Sequence, residues 1–279
     1  MTLSLPSLYE STSASIVGID LAWGEKQQDG LCLIRATRES SSVVRTALTS
    51  RDDELLAWLA KYAPASECSL LTIDAPLIVT NKSGCRPVEK QISSEFGKYH
   101  AFCHSSNLAK TSCARPLRVT RMLRENGYAV DFDLKNAARI ATEVYPHPAM
   151  ILLFELELII KYKKGLVEAK RQEFKRLQSL MRTCLDTHFP ELDCSPQIQT
   201  LLDAPWKKEI EDQTDAFFCA LLGYFHWRSN GHLCRVVGTL EEGFILLPPR
   251  FRNGVPLMVK GRTGQLVTAE LVNKLRDED

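Results

Sequence analysis

Ile16-Val17-Gly18-Ile19-Asp20 is a short apolar run that closes on a carboxylate, and Leu21-Ala22-Trp23-Gly24 then turns the chain. A run this short and this apolar reads as a buried strand. The pattern recurs at Leu70-Leu71-Thr72-Ile73-Asp74. Asp212 and Asp215 precede the apolar stretch 216–222 at a spacing that puts both on one face of a helix. A carboxylate at the end of a buried strand is costly unless it is paired or holds a metal. Acids converging from such distant segments point to a divalent-cation site.

Working outward, residues 30–35 and 43–48 read as two further strands, separated from the first by turn-rich gaps, as in an antiparallel meander. Asp52 or Asp53 caps a helix through Leu55, Leu56, Trp58, Leu59 and Tyr62, and Pro64 ends it. The strand closing on Asp74 is nearly all apolar, as expected of a central strand covered on both faces. The order is thus three strands, a helix and a strand. Residues 80–114 form a polar excursion, partly helical, and 116–126 a helix stopped by Gly127. A strand over 140–145 is broken by Pro146 and Pro148, and 149–188 reads as a charged helical insertion containing Lys161, Lys163 and Lys164. Residues 210–228 are the most apolar helix, and 236–238 and 243–247 are late strands. The expected organisation is a frayed Ser- and Thr-rich tail over 1–14, one domain over 15–248 with a helical insertion at about 149–205, and a peripheral segment over 249–279.

The chain has 279 residues, 44% hydrophobic and 25% charged, with a formal net charge of +1. That composition is globular, and a nearly neutral chain needs a local basic patch to bind nucleic acid. Nine cysteines without a CxxC pair, and no apolar run of membrane-spanning length, read as a cytoplasmic protein with reduced thiols. Cys85, His100, Cys103, His104 and Cys113 are zinc-compatible but lack the paired spacing of structural zinc sites.

At Gly18-Ile19-Asp20-Leu21-Ala22-Trp23, Ile73-Asp74-Ala75-Pro76-Leu77, Arg86-Pro87-Val88-Glu89, Glu143-Val144-Tyr145-Pro146 and Asp212-Gln213-Thr214-Asp215-Ala216 the chain resembles the DUF429 family. The resemblance covers roughly residues 15–247, with five short motifs in the same order. That family is described as predicted nucleases with a ribonuclease H-like fold. The resemblance therefore implies a mixed five-stranded sheet of order 3-2-1-4-5 flanked by helices, which the strand and helix order fits.

In such a sheet the strands ending at Asp20 and Asp74 are neighbours, and Glu143 lies on the next strand. Asp20, Asp74, Asp212 and Asp215 would hold Mg²⁺ or Mn²⁺, in a site able to take two ions about 4 Å apart. The spacing of Asp212 and Asp215 also resembles the acidic pair on the final helix of RuvC-type resolvases. Glu143 reads as a further catalytic acid or a satisfied edge residue, and His147 as a proton shuttle or a capping residue. Arg86 and Glu89 match the family's Arg-Pro-x-acid motif, so Arg86 either clamps a substrate phosphate or pairs with Glu89. Arg115, Arg118, Arg121 and Arg124 recur every third residue, as backbone-tracking cations or as a solvated helix face. Trp23 stacks a base or caps the sheet. The leading expectation is metal-dependent hydrolysis of nucleic-acid phosphodiesters, with no membrane association. The alternatives are an actin-like nucleotide-binding phosphotransferase and a non-catalytic binding module on the same fold.

Overall fold

The computed structural model describes residues 5–252 and 255–257. Strands β1 (Ser13–Asp20), β2 (Asp29–Thr37) and β3 (Ser41–Thr49) form the expected antiparallel meander. The second turn is closed by Thr37, whose Oγ1 accepts from the backbone of Glu39 and Ser40. Helix α1 (Asp52–Tyr62) opens on Asp52, Asp53 and Glu54, which favour the positive end of its dipole, and buries Leu55 and Leu59. It returns the chain so that β4 (Ser69–Ile73) runs parallel to β1. Every residue of β4 is buried, as its apolar composition requires.

The next elements are α2 (Pro87–Phe96), α3 (Ala114–Glu125), β5 (Ala129–Val130) and β6 (Arg139–Glu143). Strand β6 pairs parallel to β4. Helices α4 (Pro146–Leu153), α5 (Val167–His188) and α6 (Pro196–Asp203) follow, with β7 (Leu192–Cys194) before α6. The long helix α7 (Lys208–Arg228) leads to the hairpin of β8 (Arg235–Thr239) and β9 (Gly243–Leu247), and then to β10 (Arg250–Arg252) and β11 (Val255–Leu257).

The central sheet is mixed and seven-stranded, with order β5-β6-β4-β1-β2-β3-β7. It contains the expected five-strand series as β3-β2-β1-β4-β6 and extends it at both edges. Strands β5 and β7 are too short to leave a period in the sequence, so the expectation of five strands missed them. Helices α1 and α3 cover one face, burying Leu55, Leu59, Val119 and Leu123 against Val17, Ile19, Leu71 and Ile73. Helix α7 covers the other face, with α4, α5 and α6 packed around it.

Three expectations are corrected. The insertion is not one helical run, because residues 154–166 form an irregular connection between α4 and α5. The segment 5–12 is not a frayed tail. Leu8 is fully buried, its N–H donates to Ala137 O at 2.9 Å, and its carbonyl accepts from Trp227 Nε1 at 3.2 Å. Phe251, in the segment read as peripheral, packs in the core against Phe225 and His188, whereas residues 258–279 of that segment lie outside the described residues. All nine cysteines are free. No helix among the described residues is long and apolar enough to cross a membrane.

Candidate functional site

Three parallel strands, β1, β4 and β6, end at the same edge of the sheet in the register Ile19–Ile73–Glu143. The Asp74 N–H donates to Ile19 O at 2.9 Å, which carries the ladder one residue further and sets Asp74 beside Asp20. Side chains alternate between faces along a strand. Gly18 and Thr72 face α7: a Cβ on Gly18 would lie 2.0 Å from Ala216 O, and Thr72 Oγ1 donates to Cys219 O at 2.7 Å. Asp20 and Asp74, two residues on, face α7 as well.

Glycines bring α7 down onto this face. A Cβ at Gly30 would lie 2.0 Å from Asp212 O, so both Gly18 and Gly30 are required by the close approach of the helix. That approach delivers the first turns of α7, with Asp212 and Asp215, to the end of β1. The four carboxylates feel one another. Burial raises Asp20 well above the usual carboxylate range, Lys163 opposes that, and Asp215, Asp74 and Asp212 add to it. Asp74 is raised to about 7 by burial, with Lys163 opposing and Asp215 and Glu143 reinforcing.

A lysine sits among these acids. Lys163, from the 154–166 connection, places Nζ 2.7 Å from Asp215 Oδ2, with its side chain 30% exposed. At that distance the ammonium is the cation facing the buried Oδ2. The neighbouring Tyr162 hydroxyl donates to Asp215 Oδ1 at 2.6 Å. Burial alone would lower Lys163, but Asp215, Tyr162, Asp20 and Asp74 hold it above the ordinary lysine value. Asp212 is paired with Lys208 at 2.6 Å. Among the described residues, no side-chain donor reaches the carboxylate of Asp20 or Asp74. Lys163 and Tyr162 escaped the sequence reading, because a lysine in a charged stretch looks like any solvated lysine.

Glu143 does not join the cluster. It follows Ala141 onto the opposite face, where Arg86 Nη2 and Nη1 donate to its two oxygens at 2.6 and 2.9 Å and the Leu77 N–H adds a third bond at 3.0 Å. Arg86 Nε also donates to Glu89 Oε1 at 2.8 Å, and Glu89 in turn accepts from the backbone of Arg86 and Ser106. The Arg86, Glu89 and Glu143 side chains are 3%, 1% and 5% exposed, so the charges expected at the substrate satisfy one another inside the protein. They lock the start of α2 to the end of β6.

The arginine row of α3 divides. Arg115 is buried and grips both oxygens of Asp29 at 2.7 Å, and Asp29 also accepts from the Ala22 N–H at 2.9 Å. This unforeseen pair pins the turn that follows Asp20. Arg118 pairs with Asp52 at 2.7 Å and Glu25 at 2.9 Å, which ties down the same turn. Arg121 is exposed, with Glu125 at 4.0 Å. Trp23 packs against the apolar cluster on the α1 and α3 face, as a cap of the sheet. His147 lies against the rings of Tyr145 and Tyr162, and burial, then Lys163, His104 and Lys164, lower it to about 3. It is a neutral imidazole at physiological pH.

The donor set around Asp20 is all oxygen, which suits a hard divalent cation. Among the described residues, no group of three or more His, Cys, Asp and Glu side chains is arranged to hold a metal ion. Asp20 and Asp74 are the two acids of this edge without a side-chain donor among the described residues, and magnesium is commonly held by one or two carboxylates with water and substrate oxygens completing the shell. No curated protein matches the chain. Residues 18–241, well over half of the chain, match the family described as proteins of unknown function, DUF429, and the chain belongs to that family.

Proposed function

We propose that this protein is a Mg²⁺- or Mn²⁺-dependent phosphodiesterase acting on nucleic acid at the Asp20–Asp74 edge of the sheet. The observation that carries the reading is the pair of partner-free carboxylates at adjacent strand ends, with Asp215 and Asp212 brought to them by α7. Burial first, and the neighbouring acids second, raise these carboxylates, and functional sites are where such arrangements concentrate. Lys161 and Lys164, both exposed, flank Lys163 on the connection that borders the acids, and give an otherwise neutral chain the local positive charge that a polyanion needs.

Asp20 and Asp74 would hold the ion, which when bound would polarise the phosphate and activate water. The chain's own residues do the positioning. Asp29 and Arg115 fix the turn after Asp20, and Glu143 with Arg86 fixes the loop after Asp74 through the Leu77 N–H. The test is cleavage of a panel of DNA and RNA substrates in Mg²⁺, Mn²⁺, Ca²⁺ or EDTA by wild type and by Asp74→Asn purified in parallel. Cutting in Mg²⁺ or Mn²⁺ that disappears in EDTA and in Asp74→Asn supports the reading. Equal cutting by the variant, or none by wild type on any substrate, refutes it.

A further inference from the structure

We infer that this centre takes a single divalent cation, at Asp20 and Asp74, and that the Lys163 ammonium is its second, built-in positive charge, which meets the substrate phosphate. The inference rests on the metal-dependent reading above and narrows it, since the four acids read from the sequence alone allow two ions.

Charge and geometry carry it. Asp212 already has a cation at 2.6 Å in Lys208, which it shares with Glu211 at 2.9 Å. Asp215 is committed on both oxygens, to the Tyr162 hydroxyl at 2.6 Å and to Lys163 Nζ at 2.7 Å. Asp20 and Asp74 remain, and two carboxylates balance one divalent ion. A second ion would have to settle on Asp215, where Lys163 now sits. The lysine is held there from one residue away, because Tyr162 bonds the same carboxylate from the same connection. Asp215 Oδ2 is buried, and the Lys163 ammonium, 2.7 Å away, is the cation that balances its charge.

Lys163 also keeps a side open to solvent, and the exposed Lys164 follows it. A phosphate bound to an ion at Asp20 and Asp74 would meet this ammonium. In hydrolysis, water adds to phosphorus as the bond from phosphorus to the ester oxygen breaks. The water loses a proton and the departing oxygen gains one. Negative charge grows on the phosphate oxygens during that exchange, and a fixed ammonium beside them stabilises it.

The experiment uses the full chain, stripped with EDTA and titrated with Mn²⁺ by calorimetry and electron paramagnetic resonance. Wild type should bind one Mn²⁺, and Asp20→Asn should lose it. Lys163→Met should either bind a second Mn²⁺ or hold the first at least about thirtyfold more tightly, the effect of removing one unit charge about 4 Å from a divalent ion even at the screening of bulk water. Lys163→Arg, which keeps the charge, should do neither, and its melting temperature controls for misfolding. Inorganic phosphate titrated onto the Mn²⁺-loaded protein should bind Lys163→Met about tenfold more weakly than wild type, by the same arithmetic. Two ions on wild type, no ion at all, a Lys163→Met variant with unchanged metal binding, or equal phosphate affinity in the two proteins would each overturn the inference. One ion, the Lys163 pattern and no cutting of any nucleic acid would leave it standing and sink the nuclease reading alone.

Discussion

Asp74→Asn should make the metal-free protein more stable, and by an amount that grows with pH. Asp74 is raised to about 7 in the folded chain, against a value of about 3.9 when unfolded. A carboxylate whose folded pKa is raised favours the folded state most below its unfolded pKa. That contribution is lost as pH rises through the folded value. Linkage then makes ionised Asp74 unfavourable to folding by about 4 kcal/mol at pH 8 and about 1.5 kcal/mol at pH 5. These are ceilings, because the open side of the site admits water and the fold relaxes. About half is a fair expectation, which for a domain of this size raises the melting temperature at pH 8 by roughly 4–8 °C. Asparagine has nearly the same volume and carries no charge, so the gain isolates the cost of the buried charge, desolvation first and repulsion from Asp215 and Glu143 second. The assay is thermal unfolding in EDTA, followed by circular dichroism, of wild type and variant at pH 5 and pH 8. A variant less stable than wild type at pH 8 would show that Asp74 makes a structural bond. A gain equal at both pH values would show that the buried charge is not its source.

Protons and metal compete for the same oxygens, so Mn²⁺ affinity should fall as pH drops below about 7, the value to which Asp74 is raised; an affinity flat between pH 8 and pH 6 in calorimetry would contradict this. Arg86→Met leaves Glu89 and Glu143 buried without their cation and should destabilise the fold by about 3–5 kcal/mol in urea unfolding, with a much smaller loss arguing against the buried trio. Gly18→Ala puts a methyl group 2.0 Å from Ala216 O and should push α7 off the sheet. The expected loss is at least about 1–3 kcal/mol, with Mn²⁺ binding weakened as Asp212 and Asp215 shift, and wild-type stability and binding would refute the close approach. Arg115→Met should reduce stability and blur the turn at Ala22, read out as faster amide exchange over residues 21–25, whereas unchanged exchange would mean that Asp29 holds the turn alone.

Local pattern was enough for the elements that stand on periodicity. The apolar runs closing on Asp20 and Asp74, the helix over α1 and the apolar helix of α7 follow from side-chain alternation and helical spacing, and these properties belong to the chain alone. The candidate acids at the strand ends were legible for the same reason. What a single sequence does not encode locally is partnership. Glu143 and Asp74 end neighbouring strands, yet the pleat turns them to opposite faces, and only the register between β4 and β6 decides which of them joins Asp20. In the sequence Arg86 is equally a phosphate clamp or a partner of Glu89, and only the end of β6, which sets Glu143 against it, decides for the buried pairing. Lys163 looked like one more solvated lysine of a charged insertion. Its meaning arises only when an irregular connection folds back over Asp215, across more than fifty residues of chain. Charge in a sequence is a count, whereas charge in a fold is a set of distances. A buried carboxylate is repulsive, satisfied or metal-ready according to which cation the tertiary structure sets beside it.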